Sequence, residues 1–487
     1  MKTIKSIRWS WTRILLSILI LHCTTLINFC EAQTNEQDYC YSDEKDPYVQ
    51  FGAKSAYELF RAQKFTPIPS CKPVMVWGSI RHGTRYPSKE TMERMKTLTD
   101  VRDQIIRNHE ENREGRLCAK DLQLLKNWTY VLSPAYEDKL STQGKDDLRL
   151  LGQRIRTQYN SIFDSYSSEK FSFFNDGTPR TAESAQAFID GFFGIDHDHP
   201  RIYENSSLLK SPDSCQAWVT QVKNNTSNQR EYQLFRESQY IQKLISDVNR
   251  RLGFRNNLTL DIIELMYDMC RYGKAWYIAS RPPFCTVFSK NNLQVLEYME
   301  DLKYYYDYSN GNDLNKRLAC PLVSDMFSRF RDIAEGRNKS GAKPVGVFYV
   351  SHSGLHVPSL AFLNIRLDGN QLLHDNYEAM LRREFMTSQI DPFSANLMAV
   401  FYKCVQDEEN RVMFYLNEFP IRHPDCEGAL CSWKTLYNKY KANAEPNSCN
   451  FDFCTTGHAN RLASSVSWLS TMAGVILGTY FISSQFL

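Results

Sequence analysis

Two short apolar runs in this chain each end beside a histidine. Residues 72–80 are mainly apolar and lead to His82 through one arginine, and residues 345–350 lead to His352 through one serine. Short apolar runs that stop at polar residues predict buried strands that end in loops. Ligands of open α/β sheets bind just beyond the carboxyl ends of the strands. His82 and His352 are therefore candidate active-site residues.

The remaining pattern predicts an α/β fold with a large insertion. Apolar residues at helical spacing follow Thr142, which can cap a helix there, and residues 181–193 predict a second helix. Further strands are predicted at residues 171–175, 396–404 and 411–418. The middle of the chain is rich in charge and tyrosine and is predicted to be mostly helical. We expect an α/β core formed by residues 33–195 and 345–454, with residues 196–344 inserted as a helical cap.

The first 32 residues have the features of a secretory signal peptide. Residues 1–13 are basic, residues 14–27 are apolar, and small residues stand at the −3 and −1 positions of a cleavage site after Ala32. The alternative is a membrane anchor, but a polar stretch follows at once and the apolar run contains two threonines.

The last residues, 455–487, have the features of a glycosylphosphatidylinositol attachment signal. Small residues at 454–457 are followed by a polar spacer at 458–465 and an apolar tail at 466–487 without a Lys or Arg. We therefore predict a membrane partner reached through a C-terminal lipid anchor. A single C-terminal transmembrane helix is the alternative, although such a helix normally has a basic cytoplasmic flank.

Composition fits a folded, exported protein. The 487 residues are 42% hydrophobic and 23% charged, as in ordinary globular proteins. The formal net charge of +3 resides in the predicted signal peptide, so the mature chain is near neutral. A near-neutral chain does not predict a nucleic-acid partner. Any anionic ligand must therefore be bound by a few converging basic side chains.

Cysteines and glycosylation acceptors agree with export. Removal of residues 1–32 leaves twelve cysteines, an even number, and none forms a Cys-x-x-Cys pair, so disulfides are favoured over a zinc site. Their pairing cannot be deduced from spacing. Asn-x-Ser/Thr acceptors occur at Asn127, Asn205, Asn224, Asn225, Asn257 and Asn338.

The clearest chemistry lies around His82. Arg81 and Arg85 flank this histidine, a pattern suited to nucleophilic attack on a phosphoryl group whose oxygens the guanidinium groups neutralise. Gly83 permits close approach of the backbone. Arg180, just before the helix predicted at 181–193, is a distant candidate for the same site.

These motifs resemble the histidine acid phosphatases. The segment SIRHGTRYPS and the stretches LSTQGKDDLRLLGQRI, FCTVF and SANLMAVFYKC are most similar to the multiple inositol polyphosphate phosphatases within that superfamily, and the likeness spans residues 40–454. The resemblance implies a histidine-phosphatase core, with a central mixed sheet flanked by helices. It also implies an exported phosphomonoesterase that acts on inositol polyphosphates without a metal or cofactor.

The resemblance also assigns residues to roles. His82 would be the nucleophile and His352 a second catalytic residue. The phosphate would be held by Arg81, Arg85, Arg180 and His352. Lys89 would contact a second phosphate. Lys303 is a further candidate of this kind, with an ordinary solvated lysine as the alternative.

One departure from the family concerns proton donation. The family's second motif is His-Ala-Glu, whose carboxyl group protonates the leaving alkoxide, but this chain has His352-Ser353-Gly354. Loss of a positioned acid typically lowers a rate by about 10² to 10⁴. His356 is a possible substitute donor, with an ordinary helix residue as the alternative.

Other functions stay open at this point. A catalytically impaired phosphate-binding relative would keep the arginines, and other small phosphate esters such as bisphosphoglycerate are alternative substrates. A serine hydrolase using Ser353 lacks the flanking glycines. A metal site could use His352 with His356, or the run at 196–199, but neither matches a known ligand pattern. Cysteine-dependent phosphatase and nucleotide-loop motifs are absent from the sequence.

Overall fold

A computed structural model describes most of the chain. The described residues are 39–455, except for 64–66, 164–169, 196–199, 206–207, 210–211, 256, 338–343, 406–408 and 446–447. The predicted signal peptide, residues 456–487 of the predicted attachment signal, the acceptor Asn338 and the candidate metal run at 196–199 therefore lie outside the described residues.

A single mixed sheet forms the centre of the described structure. Its strands are β1 (Cys71–Arg81), β2 (Phe171–Asn175), β3 (Ile202–Glu204), β4 (Gly346–Ser351), β5 (Asn396–Cys404), β6 (Asn410–Leu416), β7 (Phe419–Ile421) and β8 (Leu430–Ser432). The spatial order is β3-β2-β4-β1-β5-β6-β7, and β8 pairs with β6. All the strands predicted from the sequence are present at nearly the predicted positions.

Helices cover the sheet and form most of the described part of residues 196–344, the interval predicted as an insertion. They are α1 (Lys89–Lys96), α2 (Leu98–Glu110), α3 (Ala119–Asn127), α4 (Thr142–Gln158), α5 (Pro179–Phe193), α6 (Gln216–Trp218), α7 (Arg230–Arg236), α8 (Gln239–Leu252), α9 (Leu260–Trp276), α10 (Lys290–Tyr308), α11 (Asp313–Ala334), α12 (Ser353–Phe362), α13 (Thr387–Ile390) and α14 (Trp433–Tyr440). Helix α4 is present, but it begins at Thr142 itself, and the capping residue is Ser141 rather than Thr142: the Ser141 hydroxyl accepts from the Gly144 N–H at 3.1 Å.

Strand direction brings several loops to one edge of the sheet. Strand β1 is parallel to β4, and β4 is parallel to β2. Strand β5 lies on the other side of β1 and is antiparallel to it. The carboxyl ends of β1, β4 and β2 therefore meet at the same edge, where His82 and His352 follow their strands.

The two faces of the sheet bury different layers. Val76 and Ile80 of β1 pack with the apolar faces of α4 and α5, whereas Trp77 faces the larger cluster that includes the inserted helices. This separation follows from the alternation of side chains along a strand. Phe348 of β4 belongs to the first cluster, where its ring lies 5.0 Å from that of Phe188 in α5.

The last helix of the inserted interval contacts the sheet directly. The indole N–H of Trp77 donates to Asp325 of α11 at 3.2 Å. The ring of Phe330, also in α11, lies 5.2 Å from that of Phe401 in β5. Helix α11 therefore forms part of the layer that covers the sheet. The division of the chain at residues 196 and 345 stays a prediction.

The disulfides predicted from cysteine usage are present. They join Cys40–Cys118, Cys71–Cys404, Cys215–Cys454, Cys270–Cys285, Cys320–Cys449 and Cys426–Cys431. Cys71 and Cys404 are register partners in β1 and β5, so this bond fixes the end of the strand pair opposite the histidines. A native disulfide typically contributes about 2–4 kcal/mol to stability. Among the described residues, no helix is both long and apolar enough to cross a membrane.

Candidate active site

The loop after β1 carries His82 in a fixed position. The His82 N–H donates to the Ser351 carbonyl of β4 at 2.9 Å, so the parallel ladder continues one residue past the strand. The next N–H, from Gly83, donates to the Ser184 hydroxyl of α5 at 3.0 Å. These bonds hold the histidine between the sheet and a helix, with only 4% of its surface exposed.

Two glycines allow the same loop to pack against α4. A Cβ atom added to Gly83 would lie 2.5 Å from the Gly144 carbonyl oxygen, and one added to Gly144 would lie 2.1 Å from the Thr84 carbonyl oxygen. Neither distance is sterically possible without movement of the backbone. The Ser141 hydroxyl donates to the same Thr84 carbonyl at 3.0 Å. The start of α4 therefore supports the loop at van der Waals contact.

Arg81 is a buried cation at the end of β1. Its Nη1 donates to the carbonyl oxygens of Ala53, at 2.6 Å, and of Asp391, at 2.5 Å. The Asp391 carboxyl oxygen Oδ2 lies 3.4 Å from the same nitrogen. The guanidinium group also lies over the Phe393 ring, 5.0 Å from its centroid. These contacts orient Arg81 beside His82.

Arg85 and Arg180 share one carboxylate. Arg85 Nη1 donates to Asp138 Oδ1 at 2.8 Å, and Arg180 Nη1 lies 3.7 Å from Asp138 Oδ2. Burial and the neighbouring charge of Arg85 lower the pKa of Arg180. Asp138 therefore keeps two like charges close together on the same side of the site.

His352 is oriented by two neighbours. The Arg180 Nε–H donates to Nδ1 of His352 at 3.4 Å, so Nδ1 is an acceptor and the ring proton resides on Nε2. That nitrogen lies 2.8 Å from Asp176 Oδ2. Burial alone would raise the pKa of Asp176, but bonds from His352 and Thr181 lower it to about 2. Asp176 is therefore ionised at neutral and mildly acidic pH.

His82 has the tautomer that a nucleophile requires. Its Nδ1 lies 3.0 Å from the Gly83 carbonyl oxygen, which can only accept, so Nδ1 carries the proton and Nε2 the free electron pair. Burial and the positive charges of Arg81 and Arg85 hold the pKa of His82 well below its usual range. The imidazole is therefore neutral at neutral and mildly acidic pH.

A cavity of about 670 Å³ joins these side chains. It is lined by Arg81, His82, Arg85, Arg180 and His352. The structure thus brings together the five residues that the sequence placed at one site. Pro212 and Ser214 of the inserted interval and Tyr304 and Tyr308 of α10 form the opposite wall.

The two lysines predicted for the site differ. Lys303 lines an adjacent cavity of about 740 Å³ that shares Tyr304 with the first. Its ammonium group pairs with Asp307. Lys89 is exposed at the start of α1, where its backbone N–H donates to Glu137 at 3.0 Å. Lys89 does not line either cavity, so the structure does not place it with the arginines.

The expected substitute donor is not at the cavity. His356 is fully buried in α12, its Nε2 lies 3.0 Å from the Ile390 carbonyl oxygen, and burial lowers its pKa to about 4. His352 and His356 bond to different partners and do not form a pair of metal ligands. Position 354 cannot hold a longer side chain without movement, because a Cβ on Gly354 would lie 2.8 Å from the Pro212 ring.

One cluster of possible metal ligands occurs among the described residues. Cys40, Cys118 and Asp121 lie close together, but the two cysteines form a disulfide with each other. Asp121 accepts from the Tyr41 N–H at 2.9 Å. These atoms are engaged within the protein and lie in a different part of the fold from His82.

The family follows from comparison of the sequence with known proteins. The model of the histidine phosphatase superfamily (branch 2) matches residues 75–417. The chain belongs to this superfamily. The matched region runs from β1 to the end of β6 and contains His82, Arg180 and His352.

Curated histidine phosphatases are similar over most of the chain. Multiple inositol polyphosphate phosphatase 1 of Drosophila melanogaster is 33% identical over 459 residues, which cover 91% of this chain and 96% of that protein. The Homo sapiens protein of the same name is 25% identical over 393 residues, covering 76% and 80% of the two chains. Together with the family match, these relatives establish a phosphoric monoester hydrolase.

Solved structures share the fold. The phytase from D. castellii superposes with a TM-score of 0.65 at 19% identity and covers 85% of this chain and 91% of its own. A Bifidobacterium longum multiple inositol polyphosphate phosphatase in complex with inositol hexasulfate gives 0.59 at 12% identity, covering 83% and 99%. The histidine phosphatase architecture expected from the sequence is confirmed.

Three carboxyl groups of the site were missed by sequence reasoning. Asp176 had a usable signal, because it follows a predicted strand that ends at the same sheet edge as His82. Asp138 lies in a loop and has a left-handed backbone with φ of 52°, a conformation that the local sequence does not predict. Asp391 precedes β5 in a segment without periodicity. Only the folded chain brings it to Arg81.

The glycine contact generates the first prediction. We expect Gly144→Ala to cost about 1–3 kcal/mol of stability, because the added methyl group displaces the loop that carries His82. The same displacement should lower phosphate release by about 10²-fold. Urea unfolding and a phosphate-release assay measure the two effects.

Gly369→Ala is the matched control. A Cβ at Gly369 meets nothing within 4 Å, so this variant should keep both stability and rate. Equal rates for Gly144→Ala and Gly369→Ala would show that the close approach of α4 does not position His82.

Proposed function

We propose that this histidine phosphatase removes phosphates from inositol polyphosphates through a phosphohistidine intermediate on His82. The observation that carries the proposal is the free electron pair on His82 Nε2 in a cavity that also presents Arg81, Arg85 and Arg180. Guanidinium groups bind phosphoryl oxygens in a forked geometry and neutralise their charge. A neutral imidazole beside such groups can attack phosphorus.

In the first half-reaction, His82 Nε2 forms a bond to phosphorus while the ester P–O bond breaks. The Gly83 carbonyl accepts a hydrogen bond from Nδ1–H throughout and stabilises the positive charge that the imidazole acquires. The arginines neutralise the charge that spreads over the equatorial oxygens. Water then attacks the phosphohistidine, which releases inorganic phosphate and restores His82.

His352 holds the phosphoryl group in this proposal. Its Nε2–H is shared with Asp176, and its ring centroid lies 5.2 Å from that of His82. Bonding to Asp176 fixes the ring orientation, so a phosphoryl oxygen that enters the cavity meets the Nε2–H at a constant position and shares it with, or takes it over from, Asp176. This role needs no change of protonation during the reaction.

Two features support inositol polyphosphates as the substrate class. The similar proteins from Drosophila melanogaster and Homo sapiens are named for hydrolysis of these compounds. Lys303 lines a second cavity together with Lys54 and Arg94. This cavity opens next to the one that contains His82, which leaves room for a substrate with several phosphates. This second cavity also holds carboxylates, so individual basic side chains rather than net charge would bind the distal phosphates.

Smaller phosphate esters remain the alternative substrates. Position 354 lacks the family's carboxyl group. A slow enzyme, or a relative that binds phosphate without turnover, is therefore a second alternative. Release of phosphate from inositol hexakisphosphate, compared with bisphosphoglycerate and an aryl phosphate, separates these alternatives.

We also propose that the enzyme is exported and attached to the cell surface by a glycosylphosphatidylinositol anchor. Six disulfides among the described residues support an oxidising compartment, where such bonds persist. The apolar tail at 466–487, which carries the anchoring proposal, lies outside the described residues.

The nucleophile is tested by His82→Ala. This variant should lose phosphate release, because no other imidazole in the site has a free nitrogen beside the arginines. Rapid-quench labelling of the wild type should recover acid-labile phosphate on His82. His374→Ala, which removes an imidazole bonded to Glu231 elsewhere in the fold, should leave the rate unchanged. Normal activity of His82→Ala would refute the proposed reaction.

The substrate class is tested at Lys303. Lys303→Gln should raise KM for inositol hexakisphosphate about two- to fivefold, because a partly exposed charge contact is worth up to about 1 kcal/mol. KM for an aryl phosphate, which has one phosphate, should not change. Lys120→Gln is the control, since Lys120 is an exposed lysine that likewise pairs with an aspartate. Equal effects on both substrates would argue against a distal phosphate contact.

The anchor is tested on expressing cells. Phosphatidylinositol-specific phospholipase C should release the enzyme from the cell surface, because the tail would have been exchanged for a lipid. Deletion of residues 466–487 should yield a retained or secreted soluble form. Survival of an epitope added after Leu487, without release by the lipase, would identify a transmembrane helix instead.

A further inference from the structure

Asp391 is a buried carboxyl group next to the catalytic cavity. Asp391 is 0% exposed, and neither oxygen of its side chain accepts a hydrogen bond of normal geometry. Arg81 Nη1 lies 3.4 Å from Oδ2 of Asp391, but it donates its hydrogen bond to the backbone carbonyl oxygen of Asp391, at 2.5 Å. A buried carboxylate with so little compensation is unfavourable. The protonated form satisfies the site better.

The electrostatic surroundings agree with a protonated form. Burial raises the pKa of Asp391 to about 7, and the charge of Glu300 adds to this effect. Arg81 and the Ser353 hydroxyl act in the opposite direction without overcoming burial. A carboxyl group with this pKa can both hold and release a proton near neutral pH.

Ser353 connects this carboxyl group to the cavity. It is the first residue of α12 and lines the cavity beside His352, whereas Asp391 does not line it. Its hydroxyl group is close enough to Asp391 to lower the pKa of that residue. A hydroxyl group can accept one proton while it donates another. Ser353 therefore stands between the carboxyl group and the bound ester.

The segment that carries Asp391 is held firmly. The Thr387 N–H at the start of α13 donates to Asp301 at 2.8 Å, and the Ser388 hydroxyl donates to Glu297. Both acceptors belong to α10. Since Asp391 directly follows α13, its carboxyl group is fixed relative to the cavity wall formed by α10.

We propose that Asp391, acting through the Ser353 hydroxyl, supplies the proton that the leaving alkoxide requires. This inference rests on the proposed phosphohistidine reaction. As the ester P–O bond breaks and the His82 P–N bond forms, the Ser353 O–H proton moves to the alkoxide oxygen. The Asp391 carboxyl proton moves to Ser353 Oγ in the same step. The products are the free alcohol, phosphohistidine and the Asp391 carboxylate.

The second half-reaction returns the proton. Water attacks the phosphohistidine, its proton passes to Ser353 Oγ, and the Ser353 proton passes to the Asp391 carboxylate. Phosphate leaves, and Asp391 is again protonated. The relay therefore replaces the carboxyl group that is missing at Gly354, a position that Pro212 closes to a longer side chain.

Other groups around Asp391 are poorer donors. The titratable and charged residues that face it or its segment are Arg81, Glu300, Tyr304, Tyr308 and His356. Tyr304 and Tyr308 line the cavity, but burial raises the pKa of both well above the usual tyrosine range. Glu300 is paired with Arg271. Asp391, in contrast, has a suitable pKa and is connected to the cavity through the Ser353 hydroxyl group.

The test compares two leaving groups in three variants. Ser353→Ala and Asp391→Asn remove the relay, and Ser353→Thr keeps a hydroxyl group as the matched control. Glycerol 2-phosphate has a poor alkoxide leaving group, whereas p-nitrophenyl phosphate releases a stable phenolate that needs little protonation. We expect Ser353→Ala and Asp391→Asn to hydrolyse the first ester about 10² to 10⁴ times more slowly, with less than about a tenfold effect on the second.

The pH profile gives a second measurement. Turnover of glycerol 2-phosphate by the wild type should fall as pH rises through about 7, because Asp391 then loses its proton. Asp391→Asn should lack this decline. Turnover of p-nitrophenyl phosphate should show little of it in either protein.

Several outcomes would overturn the relay. They are unchanged glycerol 2-phosphate turnover in Ser353→Ala, or equal losses on both esters in that variant, which removes a single oxygen atom. A wild-type enzyme that releases no phosphate from inositol hexakisphosphate and forms no phosphohistidine would instead refute the proposed function itself. Wild-type p-nitrophenyl phosphate turnover in Ser353→Ala, together with a normal phosphohistidine, would leave the proposed function intact and isolate the proton donor.

Discussion

The parallel pairing of β1 with β4 is the constraint on which the site depends. Arg81 and Ser351 are register partners at the ends of these strands, so the residue that follows each strand is a histidine at the same edge of the sheet. One bond from the His82 N–H to Ser351 extends the ladder into the loop. A shift of register by one residue would turn these side chains to the opposite face. The pairing of these two strands therefore sets the relative position of His82 and His352.

Charge balance is the second constraint. Three guanidinium groups converge on one cavity, and carboxyl groups lie at short range from them. Asp138 compensates two of the arginines, Asp391 stands beside Arg81, and Asp176 bonds to His352. Asp176 lines the cavity together with the basic side chains, whereas Asp138 and Asp391 are not among its lining residues.

The sequence predicted the strands and both histidines because apolar runs with polar ends report burial directly. It also predicted a set of arginines whose convergence the fold confirms. The acidic partners were harder to find. Asp176 follows a strand and could have been recognised, but Asp138 and Asp391 lie in irregular segments whose positions depend on contacts distant in sequence. Position 354 shows the same limit, since its closure is imposed by Pro212 across the cavity.

The disulfide between Cys215 and Cys454 has a geometric consequence for substrate access. Cys215 directly follows residues that line the cavity, including Pro212 and Ser214. The bond therefore ties one wall of the cavity to the last described turn of the chain. Substrate access past Pro212 and Ser214 thus depends on a covalent bond that persists where the surroundings are oxidising.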